Sequence, residues 1–474
     1  MASLVFRRRS VILAALLGAL VGCSGGGQGA RTTGTGGNGG GGQTGGAGGG
    51  GGGGAGPMAM TAACTFRPET PLALCADPSS CPVEASVSID CGARARRPSV
   101  VVRGGAVYAA LTPFSAPGGA RGPLQIARLE GLVDLSAREL DAAGDGFLLR
   151  DATATGRARA MADTPDGADL FSEQPDRTWA ASGALARPST SNGGFLFAAA
   201  GDAAGVVHAL WTGGSRTTSA GLSWSASDGS RAVVTQAAVV AAALLTDPPR
   251  VFYFDDTGGL QSWNADGTSA NVFQLGGTLP PTLGRMTASA DGGVLSIDFR
   301  SARSDGSILT TVNIEHTAGP GLRNVWDGEV PAQACDGQMT VPAPNICSID
   351  TTTVTGTALP PGAHVALSGP VGARLVVVAS GDVTETCGWT PISGCFETSP
   401  CDCRQHAGAS YRLKLRVFRE SSLPAALLEL ALPGTMSDVQ LAADADDARL
   451  AVLLIDPTAT TNAARLIVMD RAAL

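Results

Sequence analysis

From about residue 99 to the end of the chain, apolar residues come in short runs of strand length, bounded by Asp, Gly, Asn, Ser and Pro. Such runs occupy residues 100–102, 106–111, 194–199, 206–211, 251–254, 294–299, 308–314, 374–378, 411–418, 450–455 and 464–469. Several alternate with period two. In Tyr411-Arg412-Leu413-Lys414-Leu415-Arg416-Val417 the basic residues share one face and the apolar residues the other, which predicts a half-buried antiparallel strand. Long stretches of helical period with capping signals are scarce. The Ala-rich run 236–245 suits a helix or a strand equally, since Val239-Val240 and its strand-like neighbours act against its alanines. The pattern therefore predicts an all-β body.

Turn residues repeat in a recognisable plan. Ser227-Asp228-Gly229, Asp291-Gly292 and Asp446-Asp447 each follow small residues and precede a strand-like run. Gly201-Asp202-Ala203-Ala204-Gly205 and Asp255-Asp256-Thr257-Gly258-Gly259 are related forms. Their acidic and Gly residues supply the positive-φ turn of a hairpin. These blocks resemble the inner hairpins of β-propeller blades. The resemblance implies about seven blades across residues 98–474, at about 54 residues each against ~40–50 for common propeller repeats. The surplus falls in insertions at 317–362 and 383–409, which hold the later cysteines. Packed β-sandwich domains are the alternative fold.

The first 23 residues follow a different rule: Arg7-Arg8-Arg9, an apolar run at 11–21, then Gly22-Cys23. That order is the charged, apolar and small-residue sequence of an export signal. The run is about half the ~20 residues that span a bilayer, so it is not expected to remain as a transmembrane helix. Leu20-Val21-Gly22-Cys23 resembles the lipobox of bacterial lipoproteins. The resemblance implies that residues 1–22 are removed and that Cys23 carries the acyl chains. Two or three chains, at ~0.8 kcal/mol per buried methylene, anchor stably where one does not. Ser24, in place of an Asp, implies sorting to the outer membrane, on its periplasmic or its outer side. Of residues 24–57, 21 are Gly, too few apolar groups to offset the entropy of ordering. Residues 23–57 thus read as a lipidated, flexible tether with a reach of roughly 30–35 Å. A small Cys-rich segment at 58–97 and the β body at 98–474 complete the expected organisation. Loss of the leader's three arginines takes the formal charge from −8 to −11. That balance offers no basic surface for nucleic acid.

Ten cysteines remain once Cys23 is set aside, an even number in an exported chain, so disulfides are expected. Cys64, Cys75, Cys81 and Cys91 precede the body, and Cys335, Cys347, Cys387, Cys395, Cys401 and Cys403 fall late in it. Each set is even and can close on itself. Cys335 with Cys347 is the expected pair in the late set, because a short turn-rich stretch separates them. Cys401-Asp402-Cys403 with His406 offers thiolate and imidazole ligands, but C-x-C spacing and an oxidising compartment favour disulfides over metal.

Catalytic constellations are sparse. Histidine occurs at 208, 316, 364 and 406 and never as H-E-x-x-H. His208 is expected in the core or at a strand edge, and the other three in solvated loops. The single G-x-S-x-G match, Gly22-Cys23-Ser24-Gly25-Gly26, straddles the cleavage site and cannot form a nucleophile elbow. Ser289-Ala290-Asp291-Gly292-Gly293 resembles half of the Asp box of sialidase-like propellers but has Ser296 where that family packs a Trp. Asp255, Asp256, Asp444, Asp446 and Asp447 have oxygen ligands for a hard cation, yet Asp444-x-Asp446-Asp447 lacks the central Gly and distal Glu of an EF-hand loop, so solvated turns are expected. The six tryptophans are dispersed and read as packing, with Trp389 in the Cys-rich insertion as the candidate ligand contact. The expected function is a surface-anchored, noncatalytic binding or scaffold lipoprotein. It has a protein or glycan partner, no cofactor, no metal and no catalytic residue. A propeller-type hydrolase or lyase acting on polysaccharide is the alternative.

Overall fold

Among the described residues the long apolar runs lie in strands, and turn chemistry decides which runs pair. A computed structural model describes residues 64–75 and 80–474. It leaves out connecting segments at 115–121, 141–144, 152–156, 189–194, 275–285, 289–293, 303–307, 331–337, 342–351, 359–361, 369–373 and 392–400 and a few one- or two-residue gaps. These residues belong to one compact unit, 56–474. The molecule is all-β, a series of antiparallel sheets, none closed on itself. Helix among the described residues is confined to single 3-10 turns such as Pro71–Leu74.

The strands form six sheets of four, six or eight strands, within which most of them fall into consecutive groups of four. Arg94–Arg103, Ala106–Phe114, Leu124–Glu130 and Asp134–Leu140 form the first meander. Gly146–Leu148, Arg159–Thr164, Gly167–Glu173 and Trp179–Ala186 form the second. Phe195–Gly201, Val207–Ser215 and Thr218–Ala226 then lead into the long strand Arg231–Thr246, which serves two groups. Its first half pairs with Thr218–Ala226, and from Val239 onward it pairs with Pro249–Asp255, followed by Gly259–Asn264 and Ser269–Gln274. The Ala-rich run of ambiguous type is therefore a strand: ladder bonds on both halves override the helical preference of alanine. Met286–Ala288, Val294–Ala302, Ile308–His316 and Gly319–Val330 form the fifth group. Val365–Ser368, Leu375–Pro391, Cys401–Arg419 and Ala426–Ala431 form the sixth. Val439–Ala445, Arg449–Ile455 and Ala464–Asp470 make three strands of the seventh, and the fourth, Val83–Asp90, comes from the opposite end of the described chain.

Leading strands touch in succession. Arg94–Arg103 contacts Gly146–Leu148; Phe195–Gly201 pairs with Arg150–Asp151 and contacts Arg231–Thr246; that strand contacts Met286–Ala288. Met286–Ala288 contacts Val365–Ser368, which contacts Val439–Ala445, and Val439–Ala445 contacts Arg94–Arg103 again.

Among the described residues the buried ones divide into seven clusters, each made by two neighbouring groups. Alternation places them. Along Ala106–Phe114 every residue is buried, with Val107, Ala109 and Leu111 meeting the seventh group while Ala106, Tyr108 and Ala110 meet the second. Successive side chains of a strand point to opposite faces, so a run apolar at every position marks a strand covered on both sides. Leu450–Ile455 is fully buried for the same reason, whereas residues 411–417 alternate as expected.

The expected insertion at 383–409 is largely continuation of the sixth group. Leu375–Pro391 and Cys401–Arg419 stay in register without a break from Leu375↔Arg419 to Pro391↔Cys403. This ribbon is about 55 Å long at ~3.3 Å per residue, and Gln338–Val341 and Thr352–Ala358 pair along its outer half.

Candidate functional site

The acidic turns act on their own backbone. Asp228 Oδ1 accepts from Ser230 N–H at 2.9 Å, and Asp446 Oδ1 accepts from the N–H groups of Ala448 and Arg449 at 2.9 and 2.8 Å. Asp255 Oδ1 accepts from the N–H groups of Thr257 and Gly259 at 3.0 and 2.9 Å and from the Thr257 hydroxyl at 2.7 Å. Burial pushes the Asp255 carboxyl up, but Thr257, Gly259 and Gln261 together outweigh it and hold the group below the ordinary carboxylate value. A D-x-T form of this turn recurs with near-identical geometry at Asp176, Asp255, Asp266 and Asp456. Among the described residues no group of His, Cys, Asp and Glu is arranged to hold a metal ion.

His208 is buried, with Nε2 3.1 Å from Asp202 Oδ2 and its ring stacked on Trp224 at 5.7 Å. Burial raises the Asp202 carboxyl, and His208 and the Val206 N–H together pull it below the usual range. His316 and His406 lie in strands and not in the loops expected for them, because pairing extends through both positions. Their side chains, that of Trp389, and residues His364 and 289–293 lie outside the described residues.

Asp444 departs from the solvated turn expected for it. It sits on the leading strand Val439–Ala445, where Oδ2 accepts from Val102 N–H at 2.9 Å and Oδ1 lies 3.4 Å from Arg150 Nη2. The same Arg150 nitrogen donates to the Leu367 carbonyl at 3.0 Å. Burial pushes the Asp444 carboxyl above its ordinary value, and the opposing pull of Arg150, Val102 N–H and Arg103 does not cancel it. A second junction lies on neighbouring strands. Arg97, held at φ +52°, donates from its side chain to the Leu196 carbonyl, while its own N–H donates to Gln440 Oε1 at 3.1 Å. The fully buried Asp145 is 2.6 Å from Arg96 Nη2 and 3.8 Å from Arg97 Nε. Arginines thus bind the leading strands of separate groups together, and each carboxylate there is matched by a guanidinium.

A cleft of about 120 Å³ opens between the outer strands of the first and second groups. On its buried side the Tyr108 hydroxyl donates to Glu173 Oε2 at 2.8 Å and accepts from Arg128 Nε at 3.0 Å. Burial first, then the Glu173 carboxylate, keeps the Tyr108 phenol above its usual value, so at neutral pH it is a donor. Arg128 Nη1 reaches Glu130 at 2.7 Å, and Arg177 crosses from the second group to the same carboxylate at 2.7 Å. Arg177 takes φ +65°, a left-handed conformation that costs a non-Gly residue about 1–2 kcal/mol. Trp179 packs one side on the core between the two groups and lines the cleft with the rest. The residues that meet here are up to 71 positions apart in sequence, from Tyr108 to Trp179, so no local motif announced them. The D-x-T turn at Asp176, directly before Trp179, is the one legible signal.

Among the described residues two disulfides are present: Cys64–Cys91, spanning the pair Thr65–Glu69 and Val83–Asp90, and Cys75–Cys81 between those strands. The early set therefore closes on itself. Cys335, Cys347 and Cys395 lie outside the described residues; Cys387, Cys401 and Cys403 are placed by backbone register alone, opposite Ala407, Val341 and both Pro391 and Met339. Disulfides fit an extracytoplasmic location, and among the described residues no helix is long and apolar enough to cross a membrane.

No family model matches the chain, and no curated protein matches it. Among solved structures the chain is similar to a luciferin-regenerating enzyme, at 10% identity over 66% of this chain and 91% of that one, with a TM-score of 0.31, a level that bears on neither fold nor function.

Proposed function

We propose that the protein is a lipid-anchored β-propeller of the bacterial cell envelope, held on a glycine-rich tether, that binds a partner without transforming it. The observation that carries this reading is the division of the core into seven clusters, one for each neighbouring pair of groups, including the pair formed by the last and the first. A sandwich leaves one face of each sheet in water. Here alternate residues of one strand enter two different cores, as blades around an axis require. Val83–Asp90 lying beside Ala464–Asp470 supports closure of such a ring by joining the two ends of the body in one blade. The Cys23 lipobox and the tether supply the anchor, and the loops of a stiff scaffold supply the binding surface.

The polysaccharide hydrolase alternative calls for a carboxylic acid and a second carboxylate facing one substrate, ~5–10 Å apart. Asp145 and Asp444, the acids at the junction of the leading strands, are engaged by Arg96, Arg97 and Arg150. That engagement favours a structural role for both.

Metabolic labelling with palmitate tests the anchor: the wild type takes label and Cys23→Ala takes none. Label on the variant removes the lipoprotein. Incubation with plant and bacterial polysaccharides releases no new reducing ends under this reading, and their appearance establishes the hydrolase instead.

A further inference from the structure

The cleft between the first two groups has a fixed floor and a rim with spare capacity. On the floor, the oxygens of Tyr108 and Glu173 and the guanidinium of Arg128 satisfy one another. On the rim, among the described residues, the bonds of Asp176 to Thr178 use Oδ1, Asp134 meets Arg177 at 3.9 Å, and Arg138 makes one long bond of 3.4 Å to a neighbouring carbonyl. Three arginines, 128, 138 and 177, face three carboxylates, Asp134, Glu173 and Asp176. A phosphate or polyanion would meet as many like charges as opposite ones, and so would a polycation. What such a rim suits is a neutral molecule dense in hydroxyl groups, each able to donate to a carboxylate and accept from a guanidinium. The Trp179 ring adds an apolar face for the C–H side of that molecule.

Resting on the noncatalytic reading above, we infer that this cleft binds one neutral sugar ring, stacked on Trp179 and hydrogen-bonded by Asp176, Asp134 and Arg138. The volume supports a single ring, since it lies well below the ~300–1,000 Å³ of pockets for drug-sized ligands. Arg177 serves the site by position. Its left-handed backbone projects the guanidinium across to Glu130 and fixes the width of the opening.

The test uses the full-length protein in detergent solution and saturation-transfer NMR. Probes are the methyl glycosides of glucose, galactose, mannose and N-acetylglucosamine, a linear trisaccharide of each, and glucuronate as the charged counterpart. At least one neutral glycoside binds, its affinity falls about tenfold in Trp179→Ala, and Trp179→Phe, which keeps a ring in place, restores most of it. Asp176→Asn weakens binding by about threefold to tenfold without moving the thermal midpoint of Trp179→Phe or of the wild type by more than a few degrees. Binding that survives Trp179→Ala, a preference for glucuronate, or no binding by any probe overturns the inference. Cleavage of a trisaccharide overturns the noncatalytic reading instead, and loss of binding in Trp179→Ala would still establish the cleft. Absence of binding by every probe leaves the noncatalytic reading standing and removes the sugar.

Discussion

At the residue scale, a recurrent job of the described aspartates is turn-making. Asp176, Asp202, Asp228, Asp255 and Asp266 all lie below their ordinary value because N–H and hydroxyl donors favour the charged form, which for Asp202 and Asp255 prevails over burial. Groups depressed in the fold contribute stability above the ordinary value of about 4 and lose it as pH falls through the lower, folded value. The thermal midpoint should therefore drop on acidification below about pH 4. Asp255→Ala should cost about 1 kcal/mol at pH 7 and flatten that acid limb, as calorimetry across pH 2–7 would show. Asp444 runs the other way. Its folded value is raised, so its contribution favours the fold in acid and is lost as pH rises through that value. Arg150→Ala should destabilise by about 1–3 kcal/mol, discounted from a fully buried pair because Arg150 is partly exposed. The deficit should be largest at neutral pH and shrink once Asp444 is protonated; a deficit independent of pH would show that the Leu367 carbonyl, not Asp444, is the partner that counts. The turn aspartates were legible because Asx turns are local. Asp444 was not, since the sequence places it one residue from a turn and only the packing of one leading strand on another places it against Val102.

At the scale of elements, the strand pattern translated well for a physical reason. The runs at 100–102, 106–111, 450–455 and 464–469 each lie inside a strand because an apolar run too short for a helix, bounded by Gly and Asp, has few other ways to bury itself. What the pattern could not convey is that many strands are covered on both faces, which turns alternation into continuous apolarity. The 58–97 segment shows a second limit. Composition set it apart as a small Cys-rich unit, yet Val83–Asp90 lies in the C-terminal sheet, a pairing nearly 400 residues distant. Cys64–Cys91 holds the outer pair of that sheet. The bridge closes a loop of 27 residues, for which chain entropy gives about 3–4 kcal/mol. Cys64→Ser with Cys91→Ser should lower the stability of the oxidised protein by roughly that amount. Removing Cys75–Cys81, which closes a separation of 6 residues, should cost less. Denaturant titration of the two double variants settles the order, and an equal or reversed cost would mean that native contacts, not loop closure, dominate.

For the whole molecule, the question is whether the seven groups stand or fall together. In the proposed propeller each group has two neighbours and no group is terminal, because the body's first strand lies in its last sheet. A lesion at one interface then frees two faces, and the ring as a unit loses its closure. Packed sandwich domains behave otherwise, since a lesion in one leaves the other's core intact. Val87 is 1% exposed, on the strand Val83–Asp90, and packs in the cluster formed by the seventh and first groups together with Val100, Val107 and Leu453. Val87→Asp places an unpaired carboxylate there, a change that typically costs more than 3–4 kcal/mol. Differential scanning calorimetry of the wild type should give one transition, and the variant a single transition shifted down as a whole. Hydrogen exchange should then report lost protection even in Val251, Phe252 and Phe254, which belong to the fourth group, three groups from the substitution one way round the ring and four the other. If those amides keep their protection while the first and seventh groups open, the body is made of independent domains, and the ring with its shared binding surface must be given up.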